Sequence, residues 1–316
     1  MAYIPSLNKL QIGIEAVYGD EGVDTIEPVG ITEVTMNPKV EGFRVPSQRG
    51  DTMPAWLNFV KRRWCEGMIK GYVDYERFNI FLDSMFGLDA ASPHTYISQL
   101  DWSGAAESSL SLRYGQTGAL FLVGGVLPKS LVISGDSNGA LMYTYNYFGT
   151  DLSDGATFAA VAVDTPDWAL GHHGSIAIDE GVGAVHGTTP LVDTCFSFEA
   201  NITSNKAPVW HMGDQKPGTY RNGKWGGTMK VVLEGTAVTL GHFGDILDAT
   251  ATQKVYNIRM TFTDTANTLE IDFSGICEDP PNVSTSVDGV VTVELSLVPV
   301  YNTTYLGCWG ADLIIA

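Results

Sequence analysis

The chain has 316 residues, 44% of them hydrophobic, which suits one large or two ordinary folded domains and excludes a disordered chain. Its 36 Asp and Glu against 18 Lys and Arg give a net charge of −18, so the chain as a whole repels nucleic acid. The longest apolar run, GALFLVGGVL (118–127), is too short to span a membrane, and the four cysteines lack metal-binding spacing.

The first half of the chain predicts strands and one helix. LQIGIEAVYGDEG (10–22) predicts an opening strand, ITEVTMNPKVEGFRVPSQRGD (31–51) a strand and a basic loop, and GMIKGYVDYERFNIFLDSMFG (67–87) a strand followed by a helix. The helix is indicated by apolar residues at three- and four-residue steps, namely Tyr75, Phe78, Leu82 and Met85. Asp74 is its expected N-cap.

A strand and a helix recur in the second half. WGGTMKVVLEGTAVTLGHFGDILD (225–248) aligns with WCEGMIKGYVDYERFNIFLD (64–83) at an offset of 225 − 64 = 161, which puts Met68 on Met229. Thr239 is the expected N-cap of this helix. Its apolar stripe is Leu240, Phe243, Ile246 and Leu247. Aligning the two helices requires shifting the second copy by about four more residues than aligning the two strands does. The second strand–helix link is therefore predicted to be longer than the first.

Hairpins follow both helices. LVISGDSNGALMYTYNYFGTD (131–151) and RMTFTDTANTLEIDFSGICED (259–279) align without gaps, and the turn of each carries the Asp and Asn that tight turns use. The chain between helix and hairpin in the first half (94–126) predicts further strands around GQTG. VDGVVTVELSLVPVYN (287–302) predicts a long half-buried strand after an Asp-Gly turn.

The shared order of strand, helix and hairpin predicts a duplicated domain. The boundary is expected in residues 151–174, which are poorly periodic and contain Gly, Asp and Pro, giving domains of residues 1–160 and 161–316. The predicted fold is mainly β, with two fused β-sandwich or barrel domains that each carry one α-helix.

This order resembles a known family. It runs from LQIGIEAVYGDEG through the strand and basic loop ITEVTMNPKVEGFRVPSQRGD to the closing DFSGICEDPPNVSTSVDGVVTVELSLVPVYN. Over nearly its whole length the chain is similar to the major tail tube proteins of long-tailed bacteriophages, in the version with two fused tube domains. The similarity lies in pattern and order, since no catalytic motif is shared.

The resemblance implies a structural role. Such chains would form trimeric rings with pseudo-sixfold symmetry that stack into a tube, the channel for genome delivery into the host. The implied partners are further copies of the chain, the tape measure protein, tail terminator or tip proteins, and double-stranded DNA in transit past an acidic wall. The implied location is the virion tail, assembled in the host cytoplasm, with no cofactor and no membrane span.

Two basic, tryptophan-containing loops, 41–64 and 207–227, are candidate contacts with acidic faces of a neighbouring ring, because Arg and Trp are favoured interface residues. The candidates are Arg44, Arg49, Trp56, Arg62, Arg63, Trp210, Lys216, Arg221 and Lys224. The alternative is that these loops are solvated hairpin tips whose tryptophans cover their own core.

Other chemistries have weaker support in the sequence. His172, His173, His186 and His211 with Asp179 lack metal-ligand spacing, and adjacent histidines on an extended segment would point to opposite faces. No nucleophile elbow or phosphate loop is present, so we expect neither a metal nor an enzyme. A β-rich hydrolase and a carbohydrate-binding β-sandwich module of a tail tip or fibre remain the alternatives.

Overall fold

The computed structural model describes residues 8–20, 24–45, 57–87, 94–98, 108–116, 119–154, 156–161, 165–191, 194–247, 254–279, 281–285 and 290–315. The protein is mainly β, as the composition predicts. Within these residues, no helix is long and apolar enough to cross a membrane.

The first half contains nine strands and one helix in the described ranges. Its strands are β1 (Lys9–Ile14), β2 (Asp24–Ile26), β3 (Ile31–Val45), β4 (Leu57–Tyr72), β5 (His94–Ile97), β6 (Leu110–Gln116), β7 (Ala119–Asp136), β8 (Met142–Gly149) and β9 (Leu152–Asp154). Helix α1 (Asn79–Phe86) follows β4.

The described part of the second half contains eleven strands and one helix. Its strands are β10 (Gly174–Glu180), β11 (Pro190–Leu191), β12 (Cys195–Thr203), β13 (Ala207–Val209), β14 (Thr219–Arg221), β15 (Gly226–Glu234), β16 (Tyr256–Thr263), β17 (Thr268–Cys277), β18 (Asn282–Thr285), β19 (Val291–Pro299) and β20 (Trp309–Ile314). Helix α2 (Ala237–Leu247) follows β15.

One antiparallel sheet, called here the inner sheet, runs through both halves. Its strand order is β3-β4-β8-β7-β12-β15-β19-β18. The halves meet where β7 pairs with β12, with Ile133 opposite Ala200. This pairing, called here the internal joint, makes the inner sheet continuous across the chain.

Each half also has an outer sheet. The first has the order β2-β1-β6-β7-β9, because the N-terminal part of β7 pairs with β6 and its C-terminal part enters the inner sheet. The second has the order β11-β10-β16-β17-β20-β5. Apolar residues from the inner and outer sheets form one core, including Ile69, Leu112, Val231 and Ile258.

The two halves have the same sequence of strand pairings. Strands β1, β2, β3, β4, β6, β8 and β9 correspond to β10, β11, β12, β15, β16, β19 and β20, and the long β7 corresponds to β17 followed by β18. The end of β17 also pairs with β19. The predicted hairpins at 131–151 and 259–279 are confirmed as β7–β8 and β16–β17. The prediction that they are equivalent is wrong, because the counterpart of β7–β8 is β18–β19 and the counterpart of β16–β17 is β6–β7.

The predicted offset between the copies is wrong by one residue. The register shifts after Ile31 in β3 and after Cys195 in β12, so these two residues are equivalent. Their partners are Gly71 in β4 and Leu233 in β15, which gives an offset of 233 − 71 = 162. Met68 is half-exposed whereas Met229 is buried, because a slip of one residue moves every side chain to the opposite face.

The start of α1 and the cap of α2 differ from prediction. Helix α1 begins at Asn79, while the Asp74 carboxylate accepts the backbone N–H of Glu76 at 3.3 Å in a preceding turn. The N-cap of α2 is Thr236, whose Oγ1 accepts the Thr239 N–H at 3.3 Å while Thr239 Oγ1 accepts the Thr236 N–H at 2.8 Å. The α1 stripe is buried as predicted, and the side chains of α2 after His242 lie outside the described residues.

The prediction that the second strand–helix link is longer is also wrong. Residues 73–78 separate β4 from α1, but only residues 235–236 separate β15 from α2. In the first link the backbone bonds to two other connecting segments: Val73 N–H donates to Leu141 O at 2.9 Å and Tyr75 N–H donates to Asp167 O at 3.0 Å. The capping pair of threonines instead starts α2 directly after β15.

Candidate assembly surfaces

The basic loops of the sequence form two arms that project beyond the inner sheet. The first arm, residues 40–45 and 57–63, contains the distal ends of β3 and β4. The second arm, residues 204–225, contains the two-stranded sheet β13–β14. The shared register makes them equivalent, because Lys39 and Trp64 correspond to Thr203 and Gly226.

The second arm packs against the first half through Trp210. The Trp210 ring lies 5.5 Å from the Trp64 ring in an edge-on contact, and the Arg62 guanidinium lies 4.8 Å from the Trp210 centroid. Backbone bonds fix the same contact, with Arg63 N–H donating to Gln215 O at 2.8 Å. The arm is therefore held by both stacking and hydrogen bonding.

Asp151 forms the ion pairs of this contact. Lys216 Nζ lies 3.1 Å from its carboxylate and Arg63 Nε lies 3.3 Å away. Tyr220 of the second arm also packs against Tyr18, with centroids 5.4 Å apart. Arg62, Arg63, Trp210 and Lys216, four of the predicted contact residues, thus meet within one chain, and any contact they make with another ring stays a prediction.

The remaining candidates are dispersed. Arg221 and Lys224 line a groove of about 660 Å³ together with Trp225, Pro299, Tyr301 and Cys308. The backbone of Arg44 pairs with Asn58 in β3–β4. The side chain of Arg44, and all of Arg49 and Trp56, lie outside the described residues.

The inner sheet ends in two open edges. Among the described strands, β3 pairs only with β4 and β18 pairs only with β19. All four residues of β18 are exposed, and Val283 is 40% exposed although its partner Val293 is buried. Sequence reasoning missed β18, whose short NVST segment before the Asp-Gly turn was the available signal.

The face of the inner sheet opposite the core is polar. The residues that alternate with buried positions include many Ser, Thr and Asn side chains. Its acidic members are Glu33, Glu66, Asp136, Glu199, Glu234 and Glu294, and its basic members are Lys39, Lys70, Lys129 and Lys230. Acidic residues outnumber basic ones on this face, so it carries net negative charge.

The candidate histidine site is not assembled as one cluster. His172 and His173 lie in a 3-10 turn with rings 4.3 Å apart, so the prediction that they point to opposite faces is wrong. His186 is buried elsewhere, with Nε2 3.0 Å from Ser274 Oγ, and burial lowers its pKa despite Asp272 at 4.0 Å. Within the described residues, no three His, Cys, Asp or Glu side chains form a metal-sized group.

Tryptophans in the described ranges make internal contacts. Trp225 stacks on Phe86 with centroids 5.1 Å apart and an interplanar angle of 12°. Trp309 is buried and donates its Nε1–H to Gly226 O at 3.0 Å, and Trp168 packs edge-on against Tyr72. These rings serve packing, which differs from the exposed aromatic row of a sugar-binding platform.

A comparison with protein-family models finds no matching family, and a comparison with curated proteins finds no matching sequence.

Proposed function

We propose that this chain is a structural protein that closes into rings and stacks into the tail tube of a long-tailed bacteriophage, the channel through which the genome passes. The observation that carries the proposal is the internal joint between β7 and β12, together with the open edges β18 and β3 at the two ends of the same sheet. An exposed strand edge readily pairs with another chain.

The repeat defines how two copies would pair. Strand β18 occupies in the second half the place of the C-terminal part of β7, and β3 occupies in the first half the place of β12. Repeating the internal joint between copies puts Val283 opposite Met36, as Ile133 lies opposite Ala200. This contact joins different faces of the chain, and such a head-to-tail contact closes a ring when the rotation between copies divides a full turn. Three chains would then supply six equivalent repeats.

The polar face supports the same proposal. With its apolar face packed on the core, the inner sheet would turn its net-negative face to the channel. Negative charge there repels phosphates and keeps DNA mobile, whereas lysines would hold it through salt-dependent contacts. Glu199→Lys with Glu294→Lys is expected to leave rings intact and to make DNA binding detectable at low salt.

The direct experiment combines electron microscopy with disulfide trapping. We expect rings or tubes from the purified protein, and covalent oligomers up to a trimer when Met36→Cys and Val283→Cys are combined and oxidised. Thr35→Cys with Val283→Cys is the matched control, because Thr35 points to the other face. A protein that stays monomeric across concentration and salt would refute the proposal, and selective binding in a glycan panel would favour the carbohydrate module.

Ring stacking is a separate part of the proposal. The arms carry much of the basic charge, so Arg44→Glu with Arg49→Glu is expected to give rings that do not lengthen into tubes, because interface charge acts mainly on association. Tubes of normal length at ordinary salt would exclude this stacking role. The terminator, tip and tape measure proteins are the further partners proposed, with no enzymatic activity.

A further inference from the structure

The groove beside Trp225 occupies a defined place in the repeat. Pairing of β8 with β4 and of β19 with β15 makes Gly149 equivalent to Pro299, so Asp151 corresponds to Tyr301. The offset of 162 between β4 and β15 makes Arg63 equivalent to Trp225. The residues that line this groove are therefore the counterparts of those that hold the second arm in the first half.

In the first half, this place is occupied. The second arm fills it with Trp210 against Trp64, the Gln215 backbone against Arg63, and Lys216 on Asp151. In the second half, the equivalent place is the open groove of about 660 Å³. The same architecture thus presents one filled and one empty copy of a single docking position.

The first arm carries an exposed apolar cluster. Phe43 is 57% and Phe59 52% exposed, and the two are paired directly across the β3–β4 ladder. Val40 is 63% and Val60 46% exposed. Two large exposed aromatic side chains directly opposite each other on a projecting hairpin are typical of a surface that becomes covered by a partner.

We propose that the first arm of one copy docks into the Trp225–Tyr301 groove of the preceding copy in the ring, which rests on the proposed function. The repeat determines which segment enters the groove. At the internal joint, the second arm lies on the half that contributes β7. Pairing of β3 with β18 would bring the first arm of the next copy to the equivalent position. Each contact between halves then has two parts, a strand pairing and an arm in a groove.

The two docking positions differ in chemistry at one pair of equivalent residues. Asp151 receives the basic second arm through Lys216 and Arg63, whereas its counterpart is Tyr301 next to Pro299 and Trp225. The groove lining combines polar residues, among them Arg221 and Lys224, with the apolar surface of Trp225, Pro299 and Tyr301. This apolar surface matches Phe43 and Phe59. The ladder also shifts register between Glu41 and Gly42, a bulge that bends a hairpin.

Photo-crosslinking of the full chain tests this docking. We would place p-benzoylphenylalanine at position 43 in place of Phe43, irradiate the assembled protein and map the linked peptides by mass spectrometry. The expected result is a link between chains to residues 221–225 or 299–308. The matched control carries the probe in place of Val182, which is 68% exposed in a turn outside the arm, and should not link to these peptides.

A second variant separates this inference from the proposed function. Phe43→Ser with Phe59→Ser is expected to raise the concentration needed for assembly about tenfold or more, with unchanged thermal unfolding of the unassembled chain. Rings that form normally, or probe links confined to other surfaces, would overturn the arm docking and leave the tail-tube proposal standing. Absence of any assembly by the parent protein would overturn both.

Discussion

The internal joint and the open edges occupy equivalent places in the strand orders of the two halves. At the joint, Ile133 is fully buried because β12 covers it. Its equivalent Val283 is 40% exposed because no described strand pairs with β18 on the side away from β19. The second arm likewise covers Asp151 and Trp64, but the equivalent groove at Tyr301 is open. Under the proposed function, the chain completes one copy of this contact internally, and a second molecule would complete the other.

Truncating the equivalent residues of these two versions gives the largest contrast. Ile133→Ala should lower the free energy of unfolding by about 2 to 5 kcal/mol, because it leaves a cavity in a packed core. Val283→Ala should change it by about 0.5 kcal/mol or less in the unassembled chain, while weakening ring formation. Urea unfolding measures the first effect and sedimentation the second. Equal losses of stability would contradict the comparison.

The buried Lys206 connects the second arm to the first half of the chain. The equivalent position in the first arm is Gly42, so this connection exists once. Lys206 Nζ donates to Ser84 O and Met85 O, both at 3.2 Å, near the C-terminal end of α1, where a cation is favoured. Lys206→Met should cost about 2 to 3 kcal/mol in urea unfolding. The exposed Lys224→Met is the control, and a similar loss there would deny Lys206 this special role.

Removing the ring that fills the occupied groove should have a smaller effect. Trp210→Ala removes the contacts with Trp64 and Arg62 and is expected to cost about 1 to 2 kcal/mol. Faster cleavage of the second arm in limited proteolysis would show that the arm has loosened. Met212→Ala, a change at a fully exposed position on the same arm, should leave the cleavage rate unchanged.

The smallest expected effect is a pH dependence confined to the second half. Burial lowers the pKa of His186 in the folded chain. As the pH falls below the ordinary histidine value of about 6.5, His186 therefore takes up a proton in the unfolded chain before it does so in the folded chain. This stability is fully present above that pH and is lost as the pH falls towards the lowered pKa. Chemical unfolding between pH 7.5 and about 5.5 should show the decline.

Two variants assign this pH dependence. His186→Asn should flatten the decline, since it removes the buried titrating group beside Asp272 and Ser274. The exposed His211→Asn should leave it unchanged. If both variants behave like the parent chain, the decline arises elsewhere.

The sequence by itself determined the local structure well. The hairpin predicted at 259–279 is the β16–β17 pair, and the stripe from Tyr75 to Met85 is buried as predicted. Turn residues marked both predicted hairpins. These features are local, because side-chain period and turn chemistry are set by neighbours in the chain.

Tertiary structure decided which strands are partners and in which register. The gap-free match of 131–151 with 259–279 paired the wrong hairpins, because amphipathic hairpins share one pattern whichever sheet they join. The one-residue slip at Met68 and Met229 had the same origin, since only the bulges and ladder partners fix register. The internal joint and the open edge of β18 could not be read locally, because strand pairing depends on residues distant in the chain.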